Sequence, residues 1–178
     1  MNSTPRCLAT MLLVATAITG SAFAAGTHPV TGEALAERQV FTYRVLDEHS
    51  SVDPQIVEDV SGSEIVRDLF EGLMNQDAQG SLVPGTATGY TVSDDKLTYS
   101  FTLRDNAKWS NGDPVVAGDF VYAWRRAVGP ELASPYSWFM ELMSIENAAR
   151  IIAGDVPVDE LGVSAPDDRT LVVNLSQP

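Results

Sequence analysis

Apolar residues recur along two stretches of the chain at the spacing of amphipathic helices. The first helix is predicted to begin at residues 61–64, where a Ser and a Glu three residues apart match a capping box. Its buried face is expected to consist of Ile65, Val66, Leu69, Phe70, Leu73 and Met74. The second helix is predicted over 117–128, ending at Gly129-Pro130, with Trp124 on its core side and Arg125 and Arg126 on the outside.

The same pattern predicts a third helical region and three strands. The helical region covers 136–154, with a late apolar stripe of Ile145, Ala148, Ala149 and Ile152. Strict alternation predicts a strand with one buried face at 97–103, and weaker alternation predicts strands at 39–46 and 170–175. Because the sequence stops soon after the last strand, we expect that strand to lack a partner. Residues 85–89 contain two glycines and are predicted to be a loop.

The first 24 residues are organised like a cleavable secretory signal peptide. Arg6 precedes an apolar run of roughly a dozen residues, and Ala22-Phe23-Ala24 matches the small-x-small pattern that predicts cleavage before Ala25. The alternative, a membrane anchor, needs about 20 apolar residues. A lipid anchor would need a Cys at the end of the run, whereas Cys7 stands at its beginning. We therefore expect a soluble protein that acts outside the cytoplasm.

Composition narrows the possible partners. The whole chain has 11 basic and 24 acidic residues, and Arg6 leaves with the signal peptide, so the mature chain is strongly acidic. This charge argues against nucleic acid and anionic membranes as partners. Cys7, the only cysteine, is also removed, which excludes disulfides and thiolate metal sites. Neither His28 nor His49 has a second histidine at helical spacing, so no metal site is expected.

The sequence contains no recognisable catalytic motif. It has no nucleophile elbow, zinc-protease helix, phosphate-binding loop or dinucleotide fingerprint. The pairs Asp94-Asp95 and Asp167-Asp168 stand in polar, turn-like runs and are interpreted as solvated turns. Trp109 and Trp138 are compatible either with a ligand platform or with packing. We expect no enzyme activity and no cofactor, which favours a binding role by elimination.

The stretch from Leu97 to Val128 makes that role specific. It contains the pattern Y-x-F-x-L-R-x-x-A-x-W-x-N-G-x-P-V from Tyr99 to Val115, followed by Asp119-Phe120-Val121. This pattern resembles the signature block of the oligopeptide- and dipeptide-binding proteins of ABC importers, the family 5 extracellular solute-binding proteins. Shorter similarities add Asp53-Pro54 and residues 67–73, 133–136 and 161–171, so that the resemblance covers about residues 35–178.

The resemblance implies an α/β fold with mixed (α+β) sheets, of the periplasmic-binding-protein type. Members have two lobes that are joined by a hinge and close on the ligand. They are much longer than this chain, so the chain is expected to be only the N-terminal part. The implied organisation is a signal peptide at 1–24, the N-terminal segment of the first lobe at 25–70, and an extra domain with the start of the return to the first lobe at 71–178.

The resemblance also implies a function and three site residues. Members are periplasmic receptors that capture oligopeptides and deliver them to the permease subunits of an ABC transporter in the inner membrane; a monomer is expected. Glu58, Val60 and Tyr136 match ligand-cleft positions of the oligopeptide branch. Glu58 would meet a basic group, Val60 would offer backbone hydrogen bonds to an extended peptide, and Tyr136 would border the ligand backbone.

Three alternatives stay open at the level of sequence. A receptor of the same fold would bind murein peptide, a nickel chelate or a sugar, and the 134–136 motif favours a peptide over nickel. An exported hydrolase would use paired carboxylates in a cleft. A third possibility is a fragment that binds peptides weakly or not at all, because it lacks the second lobe.

Overall fold

The computed structural model describes residues 26–27, 32–40 and 42–178. The predicted signal peptide at 1–24 and His28 lie outside the described residues. The chain divides into two compact units, Met1–Arg44 and Val45–Pro178. In the first unit, Thr27 and Ala34 form an antiparallel bridge, and the amide of Leu35 donates to the carbonyl oxygen of Gly26 at 2.8 Å.

The strand predicted at 39–46 is wrong for the residues of that range that the structure describes, since none of them has a β-bridge partner. An alternating sequence becomes a strand only where a neighbouring strand satisfies its backbone groups.

The second unit contains four α-helices, six strands and one short 3₁₀ helix. The helices are α1 (Val60–Leu69), α2 (Ala117–Val128), α3 (Ser137–Leu142) and α4 (Ala148–Ile152), and the 3₁₀ helix is Val158–Glu160. The strands are β1 (Met74–Gln76), β2 (Leu82–Pro84), β3 (Ala87–Val92), β4 (Thr98–Leu103), β5 (Val163–Asp167) and β6 (Thr170–Asn174). β1 and β2 form a hairpin, and the other strands form one antiparallel sheet in the order β3-β4-β6-β5.

The last strand occupies an interior position in this sheet. β6 pairs with β4, where Phe101 faces Leu171, and on its other side with β5, where Val163 faces Val173. The expectation that this strand lacks a partner is therefore wrong. Its partners precede it in the chain, so no later segment is needed to complete its hydrogen bonds. The strand predicted at 97–103 is confirmed as β4.

The predicted loop at 85–89 is wrong from Ala87 onward, where β3 begins. The register of β3 on β4 shifts between Ala87 and Gly89, which is a bulge at the edge of the sheet. Before it, Gly85 fits tightly against the preceding chain, because an added Cβ would lie 2.5 Å from the carbonyl oxygen of Gly72. The glycines thus mark a close backbone approach and a bulge rather than a free loop.

The core lies between the sheet and the helices α2 and α4. The largest fully buried side chains are Leu103, Ile151, Leu171 and Val128. Trp124 is half-buried against this cluster, as its position on the predicted core stripe indicates. The mixed α/β fold class predicted from the sequence agrees with these elements.

The helical region predicted at 136–154 is split into α3 and α4. Ser144 and Asn147 have φ values of 58° and 64°, and these left-handed residues interrupt the helix. The interruption shifts the phase of the apolar positions. Ile145 and Ala148 are buried as predicted, but Ala149 and Ile152 are exposed, which corrects the predicted stripe.

The first helix begins earlier and buries less than its sequence predicts. Asp59 is its N-cap and accepts from the amide of Gly62, so the cap precedes the predicted Ser61. The helix ends at Leu69, and the predicted buried face is incomplete, because Leu69 and Phe70 are 62% and 44% exposed. Among the residues that the structure describes, no helix has the length and apolar character needed to cross a bilayer.

Candidate functional site

One arginine ties the turn at 53–57 to α2. The guanidinium of Arg126 binds the carboxylate of Asp53 with Nη2–Oδ2 at 2.7 Å and Nη1–Oδ1 at 3.1 Å, and its Nη1 also donates to Oε1 of Gln55 at 2.7 Å. The hydrogen bond from Arg126 is the main cause that lowers the pKa of Asp53. Arg126 is half-buried against the turn, which corrects the prediction that it faces outward.

The loop before α3 holds the same turn through its carbonyl oxygens. Ser134 is 5% exposed and donates its hydroxyl to the carbonyl oxygen of Gln55 at 2.6 Å. The phenol of Tyr136 donates to the carbonyl oxygen of Val57. The side-chain amide of Gln55 donates in turn to the carbonyl oxygen of Ala123 in α2. The turn is therefore fixed from two directions by side chains that are distant in sequence.

A second anchor lies two residues further on, at Asp59. Its Oδ2 accepts from the amide of Ser50 at 2.8 Å and from the Ser50 hydroxyl at 2.5 Å, and its Oδ1 accepts from the amide of Gly62 at 2.6 Å. These bonds, led by that from the Ser50 side chain, lower the pKa of Asp59 to about 2. Asp59 thus caps α1 and connects its start to residue 50.

The three predicted site residues lie around these two anchors. Glu58 is exposed and lies between Val57, which is buried, and Asp59. Val60 is the first residue of α1 and is 76% exposed. Tyr136 is 38% exposed, and its phenol contacts the segment at Val57. The structure therefore brings Tyr136, almost 80 residues away in sequence, next to the segment that carries the other two.

A largely apolar concavity of about 570 Å³ lies next to Tyr136. The turn, α1, α3 and the loop before α3 line it with the residues Pro54, Gln55, Val57, Ser63, Val66, Arg67, Ser134, Tyr136, Trp138, Phe139 and Met140. Trp138 and Phe139 meet edge to face, with ring centroids 5.8 Å apart, and both are about half exposed. Such a surface can accept an apolar group beside a peptide backbone.

A larger cavity of about 1180 Å³ lies along α2. Residues of α2 from Gly118 to Arg126 line it together with the loops 129–132 and 154–159 and β5, and none of the three predicted site residues does. At its rim Arg125 pairs with Asp159 at 3.0 Å. Its size alone assigns it no chemistry.

The other candidate residues from the sequence either support the fold or lie on exposed turns and strand ends. The indole of Trp109 donates to Oδ2 of Asp119 at 3.0 Å, and the same oxygen accepts from the amide of Val116, so Trp109 supports the start of α2. Asp94 and Asp95 are exposed in a turn, as predicted, whereas of the second exposed pair only Asp168 lies in a turn and Asp167 is the last residue of β5. Within the described ranges, no three His, Cys, Asp or Glu side chains come together as a possible metal site.

Comparison with known proteins identifies the family. The model of the bacterial extracellular solute-binding proteins, family 5 (middle region) matches residues 81–178, more than half of the chain. The chain belongs to this family. The matched range contains the signature block at 97–128 and Tyr136, and the sequence-based resemblance is confirmed.

Two curated relatives and one solved structure place the chain among family 5 proteins. It is 46% identical over 148 residues to the periplasmic murein peptide-binding protein MppA of Escherichia coli K12, covering 83% of this chain and 27% of that protein. It is 45% identical over 144 residues to the "Probable deoxycholate-binding periplasmic protein YgiS" of the same strain, covering 81% and 27%. The crystal structure of Haemophilus influenzae OppA in complex with RPPGFSPFR is similar with a TM-score of 0.70 and 47% identity, over 72% of this chain and 25% of that one.

These matches confirm the predicted fold class, but they cover only part of each relative. The chain spans about a quarter of the length of the curated relatives it matches.

The sequence did not predict that Asp53, Gln55 and Arg126 form a group. The Asp-Pro turn was visible in the sequence, but nothing in the pattern signals that an arginine more than 70 residues later binds it.

Proposed function

We propose that this family 5 protein is the periplasmic receptor of a peptide importer, which captures oligopeptides and delivers them to an ABC permease. The observation that carries the proposal is that the segment with Glu58 and Val60 is fastened to Tyr136 through Val57. Murein peptide and a nonapeptide appear in the names of the matching proteins, which supports a peptide as the ligand class.

The chemistry of the three residues suits recognition of a peptide backbone. The first amides of a helix have no partner within the helix, so the amide of exposed Val60 is available to a ligand carbonyl group. The carboxylate of Glu58 would meet a basic group, and the ring of Tyr136 would border the ligand backbone. Backbone contacts of this kind tolerate many peptide sequences.

The remaining properties in this proposal follow from the family and from the acidic charge. The protein acts as a receptor and not as an enzyme, without a cofactor or a nucleic-acid partner, as a soluble monomer in the periplasm. The organisation expected from the sequence, with a signal peptide at 1–24, a first-lobe segment at 25–70 and an extra domain from 71, is part of the proposal. An exported hydrolase would instead release a product, which mass spectrometry of incubated peptides would detect.

Calorimetric titration of the complete gene product that contains this chain tests the proposal. The probes are RPPGFSPFR and murein peptide. Wild-type protein is expected to bind at least one of them, and Val60→Pro is expected to weaken that binding about fivefold to tenfold through the loss of one hydrogen bond. Proline is tolerated at the first position of a helix, so this change removes the amide while keeping α1.

Val60→Ala is the matched control, because it keeps the amide and is expected to bind like the wild type. Glu58→Gln should weaken binding of the probe with basic residues more than that of the other. Absence of binding by the wild-type protein to both probes would overturn the proposed function.

A bile acid is the second candidate ligand. The name of the YgiS relative and the apolar concavity lined by Trp138 and Phe139 support it, with Arg67 available for a carboxylate. Under this alternative deoxycholate, below its micellar concentration, binds the wild type and loses affinity in Trp138→Ala. Under the peptide proposal deoxycholate does not bind and does not displace peptide.

A further inference from the structure

We propose that Arg126 is a positioning residue: through Asp53 and Gln55 it holds the segment 57–60 in the geometry that binds the ligand. This inference rests on the proposed function of the same segment. Arg126 itself lies in α2 and is not among the predicted ligand contacts.

The segment 53–60 has little apolar burial of its own. Val57 is 4% exposed, whereas Ile56 and Val60 are 37% and 76% exposed. Burial of one valine side chain is worth about 1.5–3 kcal/mol at most, which is small against the backbone entropy of fixing eight residues, about 1–2 kcal/mol for each. Polar links must therefore set the conformation of this segment.

The links lie on both sides of Glu58. Before it, Arg126 binds Asp53 and Gln55, and Tyr136 binds the carbonyl oxygen of Val57. After it, Asp59 binds residue 50 and the start of α1. A side chain between two fixed points is presented in one direction, and a ligand then does not have to order it.

Arg126 connects most of the links on the first side. Its planar guanidinium matches the carboxylate of Asp53 with two contacts and still reaches Gln55, a geometry that the single ammonium group of lysine cannot reproduce. Gln55 also binds α2 through Ala123. Loss of the guanidinium therefore removes three bonds and loosens the turn, which Ser134 and Tyr136 still hold, while α2 keeps its core contacts.

Arg125 provides a matched control on the same helix. Its side chain is 33% exposed, the same as that of Arg126, and it also forms one carboxylate pair, with Asp159 at 3.0 Å. That pair joins α2 to residue 159 rather than to the segment, although both arginines also line the larger cavity. Arg126→Lys therefore weakens the link between α2 and Asp53, whereas Arg125→Lys weakens the link between α2 and Asp159.

The experiment compares these two variants in the complete gene product by calorimetry with RPPGFSPFR and murein peptide, together with hydrogen exchange. Arg126→Lys is expected to weaken binding about tenfold and to speed exchange of amides in 53–60, while exchange in β4 and β6 stays slow. Arg125→Lys is expected to change neither. Asp53→Asn should show the same effect as Arg126→Lys, and it serves as the test if Arg126→Lys does not fold.

A double-mutant cycle separates positioning from general destabilisation. If Arg126 acts through Glu58, then Glu58→Gln has a smaller effect on affinity in the Arg126→Lys protein than in the wild type, and its full effect in Arg125→Lys. Wild-type affinity in both Arg126→Lys and Asp53→Asn, or additive effects in the cycle, would overturn the inference while the proposed function stands. A wild-type protein that binds neither peptide overturns the proposed function and, with it, this role.

Discussion

The sheet and the segment 53–60 are held in place by different forces. In the sheet, β4 and β6 bury Leu103 and Leu171 completely, and α4 buries Ile151. The segment and the helix α1 that follows it bury few apolar side chains and are fixed by Arg126, Tyr136 and other hydrogen-bonding groups.

The difference predicts different consequences for substitutions in the two regions. Apolar burial is non-directional and holds the sheet through many interchangeable contacts, whereas hydrogen bonds fix one geometry and fail when a single partner is removed. We therefore expect core substitutions to change the free energy of unfolding, and substitutions around the segment to change the local structure and ligand affinity.

The largest expected effect is that of Leu171→Ala in β6. Leu171 is 0% exposed, so the substitution leaves a cavity and should lower the free energy of unfolding by about 2–5 kcal/mol. Leu69→Ala is the matched change in α1, where the leucine is 62% exposed, and it should stay within about 0.5 kcal/mol. Urea denaturation measures both. Equal losses would show that the apolar face of α1 is buried as firmly as the sheet.

An intermediate effect is expected for Gly62→Ala in α1. An added Cβ would lie 2.5 Å from Cγ2 of Val57 and 2.7 Å from the carbonyl oxygen of Ser51, and this overpacking should cost about 1–3 kcal/mol in the free energy of unfolding. Gly118→Ala in α2 is the control, because its nearest neighbour is 3.9 Å away and alanine favours a helix by about 0.5–1 kcal/mol. A Gly62→Ala protein as stable as the wild type would contradict the tight contact between α1 and the segment.

The smallest expected effect concerns the acid stability conferred by Asp59. Its pKa falls from 3.8 to about 2 on folding, so its contribution is present above pH 3.8 and is lost as the pH falls through 2. Asp59→Asn keeps a capping acceptor that does not titrate. The difference between the urea midpoints of wild type and variant should shrink from pH 5 to pH 2.

That difference isolates Asp59, because Asp53, Asp95 and Asp167 also have lowered pKa values and titrate in both proteins. A difference that is constant across this pH range would show that the hydrogen bonds to the Asp59 carboxylate do not persist in solution.

Sequence reasoning succeeded where burial follows a regular period. The alternation that ends in Leu103 predicted β4, and the apolar stripe with Trp124 predicted α2 together with its end at Gly129. It failed where a single residue interrupts a helix, as at Asn147 with its positive φ. It also failed where strand formation depends on a pairing partner, as at 39–46. The start of α1 was misplaced because Asp59 and Ser61 are both competent caps, and the link to Ser50 selects Asp59.

The sequence by itself determined the family, the sheet-forming strand β4 and the helix α2, because these depend on local patterns and on a specific sequence block. Only the tertiary structure showed that β6 lies inside the sheet and that Arg126 reaches back to Asp53. The physical reason is that the spacing of apolar residues indicates only which side of a helix or strand is buried. Strand order and long-range hydrogen bonds depend on which distant groups meet in the folded chain.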